Sequence, residues 1–278
     1  MPKGARLRQP AARWMLGLLL LWLGTAHAHE TRPFISIIID DLGNRQDEGV
    51  RTVALPGAVT LAFLPHTPHA RALALQGHEA GKEIMLHLPM EATEGNALGP
   101  GGIKAGMDRD TMRTTFVTAL ESVPHARGVN NHMGSLLTAH VQHMEWFMAE
   151  LATRGELYFV DSRTTTQTVA QRAALAHELP ATRRDVFLDT IPDDEAYVEE
   201  QWDRLLALAR QRGHALAIGH PYAATLSVLE RRLAEMPETG VELVSVSEYL
   251  KRKKEANRLW QASSSHSQTA ARNSKPSP

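Results

Sequence analysis

Eight short apolar runs punctuate the chain, at 34–39, 59–64, 83–87, 128–132, 157–161, 185–189, 215–220 and 241–246. The first, Phe34-Ile35-Ser36-Ile37-Ile38-Ile39, is too short and too β-branched for a helix and suits a strand buried on both faces. Between the runs the pattern predicts helices over 44–54, 69–80, 108–123, 138–154, 164–178, 192–212 and 223–236, with one more carrying the start of the tail. Their ends are marked chemically: Thr67-Pro68 and Asp108 at starts, Gly81, Gly155 and Gly213 past ends. A polar, glycine-rich stretch at 91–106 is too long for a simple connector and is expected to lie over a site. Strand-helix alternation of this kind is the signature of a parallel sheet or barrel.

The run ends carry the chemistry. Six of the eight stop on aspartate or histidine: Asp40-Asp41, His87, His132, Asp161, Asp189 and His220. A seventh places His66 just past its end. In parallel barrels the C-terminal strand ends converge on the face that holds the active site. Two adjacent carboxylates at the end of an interior strand cannot both be ordinary solvated charges. Burial and mutual repulsion must raise one pKa unless a cation or a donor neutralises the pair.

The two ends of the chain change the picture of charge. The start carries Lys3, Arg6, Arg8 and Arg13, then an apolar core from Trp14 to Leu23, then Ala26-His27-Ala28. This pattern predicts a signal peptide over 1–28, cleaved after Ala28, so that the mature protein is periplasmic or secreted with no transmembrane anchor left. A single domain is expected over 29–250, and a basic, disordered tail over 251–278. The net charge of −1 hides an asymmetry, because four basic residues sit in the first segment and seven in the tail against Glu255. Positions 29–250 keep 19 basic and 30 acidic residues, a charge near −11. A nucleic-acid partner is not expected of so acidic a core. There are no cysteines, which excludes disulfides, thiolate nucleophiles and zinc sites built on sulfur.

Two neutral imidazoles and one carboxylate form a ligand set for a divalent transition ion, with zinc the expected occupant. If Asp41, His87 and His132 converge, they leave room for water and substrate. Asp40 would then serve as general base and His220, from another strand, as general acid.

The segments Ile-Ile-Ile-Asp-Asp-Leu-Gly (37–43), Thr-Leu-Ala-Phe-Leu-Pro (60–65), Met-Leu-His-Leu-Pro-Met-Glu (85–91), Gly-Val-Asn-Asn-His-Met-Gly-Ser (128–135), Phe-Val-Asp-Ser-Arg-Thr (159–164) and Ile-Gly-His-Pro-Tyr (218–222) resemble the divergent polysaccharide deacetylase family, over about 33–250. The resemblance implies an α/β fold, a distorted (β/α) barrel of seven to eight mostly parallel strands. It implies an exported metal-dependent carbohydrate deacetylase, a hydrolase of linear amide C–N bonds acting on a cell-envelope glycan. It assigns the base to Asp40, one metal carboxylate to Asp41, one metal histidine to His87 and the acid to His220. The broader family takes both histidines from one His-x-x-x-His segment, whereas here the fourth position after His87 is Glu91. The third ligand therefore goes to His132, with Glu91 the alternative.

Asn131, Asp161, Ser162 and Glu91 are the expected substrate-side residues. Ser162 lacks the Gly-x-Ser-x-Gly elbow of a nucleophile. Asp189 and Arg184 are loop partners or substrate contacts, and His140 and His143 are expected at a helix surface. Two further functions stay open: a catalytically silent glycan-binding or scaffolding protein, and a glycosidase pairing Asp40 with Asp161.

Overall fold

The computed structural model describes residues 32–258. The predicted signal peptide and the tail beyond 258 lie outside the described residues. Among the described residues no helix is long and apolar enough to cross a membrane.

The chain alternates β1 (Phe34–Leu42), α1 (Gln46–Val53), β2 (Thr60–Phe63), α2 (Ala70–Glu79), β3 (Glu83–Met90), α3 (Arg109–Ser122), β4 (Ala126–Met133), α4 (Val141–Ala152), β5 (Tyr158–Asp161), α5 (Ala170–Ala176), β6 (Ala181–Arg183), β7 (Val186–Phe187), α6 (Glu195–Arg212), β8 (His214–Gly219), α7 (Ala223–Ala234) and β9 (Glu242–Leu243). Residues 246–258 then form a last helix, α8. The strands make one curled sheet in the order β6-β5-β4-β3-β2-β1-β8-β7, and β9 pairs with the start of β1 below β2. Every pairing is parallel. This is a single-domain, distorted (β/α) barrel. Its seam lies between β6 and β7, which are neighbours in the chain but share no pairing among the described residues.

Period-two alternation sorts the strands into two cores. Ile35, Ile37 and Ile39 pack outward against the helices with Leu61, Leu86, Val129 and Phe159. Phe34, Ile38, Ala62, Met85, Tyr158, Val160, Leu216 and Ile218 fill the barrel. Tyr249 of α8 joins this inner cluster, and its hydroxyl meets Nδ1 of His214 at 2.9 Å. Ser247 of α8 bonds Glu83 at the start of β3, so α8 closes the end of the barrel opposite the strand C-termini.

The expected seven to eight parallel strands are found as the eight in the order above, with β9 off that path, and the three-residue β6 is the strand with no readable run in the sequence. Three expectations need correction. The helix expected over 164–178 begins only at Ala170, since the hydroxyl of Thr168 bonds Asp161 and caps the Ala170 N–H. The last strand is two residues long because α8 starts at 246. The first eight residues of the expected disordered tail continue that helix, with Lys253 bonded to Thr182 and Arg252 to Glu242 and Glu248.

Candidate metal centre and its cavity

Inward parity places Asp40, His87, Asn130 and His220 at the C-terminal mouth of the barrel, each two residues beyond an inner-core or inward position. Asp41 should by the same count face outward. Two features turn it in. The β1–β2 register slips between Ile39 and Leu42, three positions on β1 spanning two on β2. At Asp41 itself the backbone adopts φ 58°. A bulge of this kind re-aims a side chain, and a left-handed non-glycine residue costs about 1–3 kcal/mol. His66, Met133 and Arg163 take the same conformation, φ 57°, 52° and 53°, at the ends of β2, β4 and β5. Strain is thus concentrated at the mouth.

Three donor atoms meet there. Oδ1 of Asp41 lies 2.8 Å from Nδ1 of His132 and 3.1 Å from Nε2 of His87, and the two ring nitrogens are 3.1 Å apart. Neither contact is directed as a hydrogen bond, so Asp41 Oδ1 is a buried oxygen with no hydrogen-bond partner. Three donors around one point and an orphaned carboxylate oxygen suit a divalent cation. The residue behind the donors supports this. Asn130 Nδ2 donates to Oδ1 of Asp40 (2.7 Å), which leaves Asn130 Oδ1 to accept from Nδ1–H of His87 (2.7 Å). That bond puts the free lone pair of His87 on Nε2, facing Asp41 and His132.

The adjacent aspartates are split as the sequence demanded. Burial raises the pKa of Asp40, against the opposing pull of His87, His220 and Asn130. Burial would also raise Asp41, but the imidazoles of His132 and His87 outweigh it and hold that carboxyl well below the usual range. For His87, burial weighs against a proton while Asp40 and Asp41 attract one, and the net shift is upward. The carboxylates draw positive charge to this point, which a metal ion supplies without a proton.

His220 stands across the mouth, its Nε2 3.9 Å from Asp41 Oδ2. Its Nδ1 is held by the buried Asp189 at 2.9 Å, and its backbone N–H by the other Asp189 oxygen at 2.6 Å. Burial lowers the His220 pKa, but the Asp189 bond and charge prevail and lift it to about 9. Phe187 presents its ring edge-on at 5.3 Å. A cavity of about 490 Å³ opens here, lined by Asp40, His87, His132, Ser162, Arg184 and His220 among others. A second of about 280 Å³ touches Asp41 and His132 from the side of the 91–106 loop.

The remaining expected residues fall elsewhere. Glu91 is not brought to the donors: its Oε2 accepts from the Ala105 N–H at 2.7 Å and clasps its own loop. Asn131 lines the large cavity, yet its amide is engaged by Met133 O and Ser162 N. Asp161 shares outward parity with Phe159, and its two oxygens bind Arg163 N and Thr168 Oγ1. The glycosidase pairing of Asp40 with Asp161 is thereby left without a free second carboxylate. Ser162 does reach the cavity. His143 is buried rather than at the surface, bonded to His140 (2.9 Å) and to Met107 O (3.2 Å). Asn130 carries no signal at a run end, although Val129 outward and His132 inward leave it no other face. Asp189, by sequence a loop partner or a substrate contact, positions His220.

A family model described as divergent polysaccharide deacetylase matches residues 37–250. The uncharacterized protein YibQ of Escherichia coli K12 is 38% identical over 216 residues, 78% of this chain and 67% of that protein. An uncharacterized protein of Haemophilus influenzae is 34% identical over 212 residues, 76% of this chain and 75% of the other. The crystal structure of an uncharacterized Agrobacterium tumefaciens protein matches with a TM-score of 0.75 at 24% identity, covering 80% of this chain and 91% of that one, a likeness of fold.

Proposed function

The chain belongs to the divergent polysaccharide deacetylase family, and on that premise we propose that it is an exported, metal-dependent hydrolase removing acetyl groups from N-acetylated sugars of a cell-envelope polysaccharide. The observation that carries this is the convergence of Asp41 Oδ1, His87 Nε2 and His132 Nδ1 within 3.1 Å of one another, beside a buried aspartate and across from a histidine. A divalent ion, zinc by the character of these donors, would be held by those three residues and would supply Lewis-acid polarisation of the acetamide carbonyl.

Asp40 accepts the proton of the attacking water. Its burial supports this, because a carboxylate raised toward neutrality is a better base than a solvated one. Asn130 keeps the Asp40 carboxylate fixed while holding His87 in the correct tautomer. The C–N bond then breaks, and His220, whose pKa the Asp189 contact raises, gives its proton from Nε2 to the departing amine. Asp189 keeps Nδ1 of that ring occupied, so only Nε2 faces the reaction. Acetate and a free amino sugar are the products.

The test is acetate release from N-acetylated oligosaccharides by the zinc-loaded protein, with a chelated control. Release that vanishes on chelation and returns with zinc supports the hydrolase. Measurable binding with no release from any glycan overturns it in favour of a glycan-binding protein.

A further inference from the structure

The large cavity has a second wall that the proposed chemistry does not use. It is built at the barrel seam, where β6 passes to β7 through Arg184. The guanidinium of Arg184 is held on one edge by two backbone carbonyls, Nε to Ser162 O at 2.8 Å and Nη2 to Arg163 O at 3.1 Å. Its guanidinium carbon lies over the Phe187 ring, 4.5 Å from the centroid. Those bonds spend two of five N–H groups, leaving the Nη1–Nη2 edge with two parallel donors. Arg163 lines the same cavity, and its side chain has no ion pair or hydrogen bond among the described residues. Ser162 lines the same cavity, and its hydroxyl oxygen is buried without a partner. Thr164 adds a second hydroxyl to the lining.

We propose that Arg184, Arg163 and the Ser162 hydroxyl form a subsite for a carboxylate, next to the reacting centre. The reasons are geometric and chemical. A guanidinium edge with two parallel N–H groups matches the two oxygens of a carboxylate. Arg184 is locked before any ligand arrives, so little side-chain freedom is lost on binding. An orphaned buried hydroxyl needs a partner, and an anion lying against the two cations gives it one. Burial weighs against the charge on Arg184, with Asp40 opposing and Arg163 adding repulsion, and a bound anion would relieve that balance.

The subsite rests on the glycan reading above and makes it narrower: the preferred substrate is an N-acetylated glycan whose sugars carry carboxyl groups. Phe187 touches both the Arg184 guanidinium and the His220 ring, so the carboxylate sits one aromatic ring from the proposed acid. The other source of a carboxylate at this place is released acetate.

The experiment measures binding, by calorimetry on the zinc-loaded protein, so that it stands apart from turnover. The probes are an oligosaccharide of alternating N-acetylglucosamine and N-acetylmuramic acid, the same compound with its carboxyls reduced to alcohols, and sodium acetate. The carboxylated compound should bind about tenfold more tightly than the reduced one, the scale of one charge-assisted hydrogen-bond pair. That ratio should fall toward one in Arg163→Gln and in Arg184→Gln. Arg163 is a rim residue, so its variant keeps the test valid if Arg184→Gln does not fold. Acetate that displaces the reduced compound, with the same dependence on Arg163, identifies the product as the occupant instead. Equal affinity for the two oligosaccharides together with no acetate binding overturns the subsite, as does an unchanged ratio in both variants. An Arg163-dependent preference without acetate release keeps the subsite and removes the hydrolase, so the two failures are distinct.

Discussion

Asn130 donates to Asp40 through Nδ2 and accepts from His87 through Oδ1, both at 2.7 Å, so one buried amide fixes the proposed base and a proposed metal ligand together. Asn130→Leu removes both bonds and frees the His87 ring to adopt the wrong tautomer. Zinc affinity should fall about 10–100-fold, the usual effect of losing such a partner. Competition against a chromogenic chelator measures it, and unaltered affinity would show that His87 is oriented by something else.

The donor set makes a sharper prediction about two residues that the sequence left as alternatives. His132→Ala should lower zinc occupancy severely, because Asp41 and His87 alone cannot close the site. Glu91→Gln should leave occupancy intact, since Glu91 serves the Ala105 N–H. Metal analysis of purified variants decides, and the reverse pattern would transfer the ligand role to Glu91.

Asp40→Asn separates chemistry from metal binding. The amide matches the carboxylate in shape, and Asp40 is not among the three donors, so zinc and thermal stability should be retained. Acetate release should fall by ~10²–10⁴, the usual contribution of a positioned base. His220→Ala should lose a similar factor, with the loss smallest for acetylated substrates whose leaving group needs no proton. Full activity in Asp40→Asn would exclude it as the base.

A pH effect on stability is expected at the opposite end of the barrel. Burial first, and then the charge of Lys253, lower the His214 pKa from its ordinary 6.5. The unfolded chain therefore takes up this proton before the folded one does. The contribution of neutral His214, which accepts from the Tyr249 hydroxyl, is intact above about pH 6.5 and is lost as pH falls below it. Denaturant melts of wild type and His214→Gln at pH 7.5 and 5 should show the variant gaining relative stability at the lower pH. A difference that does not change with pH would assign the acid sensitivity to other groups.

Export is tested at the N-terminus, which lies outside the described residues. Cleavage after Ala28 predicts His29 as the first residue of the mature protein, readable by intact mass. A mature chain retaining Met1 would contradict it.

The sequence by itself determined the parallel barrel, because apolar runs alternating with capped helices leave few other arrangements, and run ends on Asp40, His87, His132 and His220 mark one mouth. Alternation is local, so it also sorted most side chains inward or outward. It contained the position of Asn130, which follows from Val129 packing outward, and the outward parity of Asp161. What alternation could not reach was decided in three dimensions. Asp41 faces the site only because a register slip and a left-handed backbone break the period at that residue, and both depend on the pairing with β2. Glu91 follows His87 at a plausible ligand spacing, yet Pro89 and the Ile103 pairing carry it into its own loop. Asp189 and His220 are 31 positions apart in the chain and become partners only where β7 pairs with β8. Spacing along a chain gives the face of a strand, whereas contact between strands is set by which of them are neighbours, and that is a property of the closed sheet.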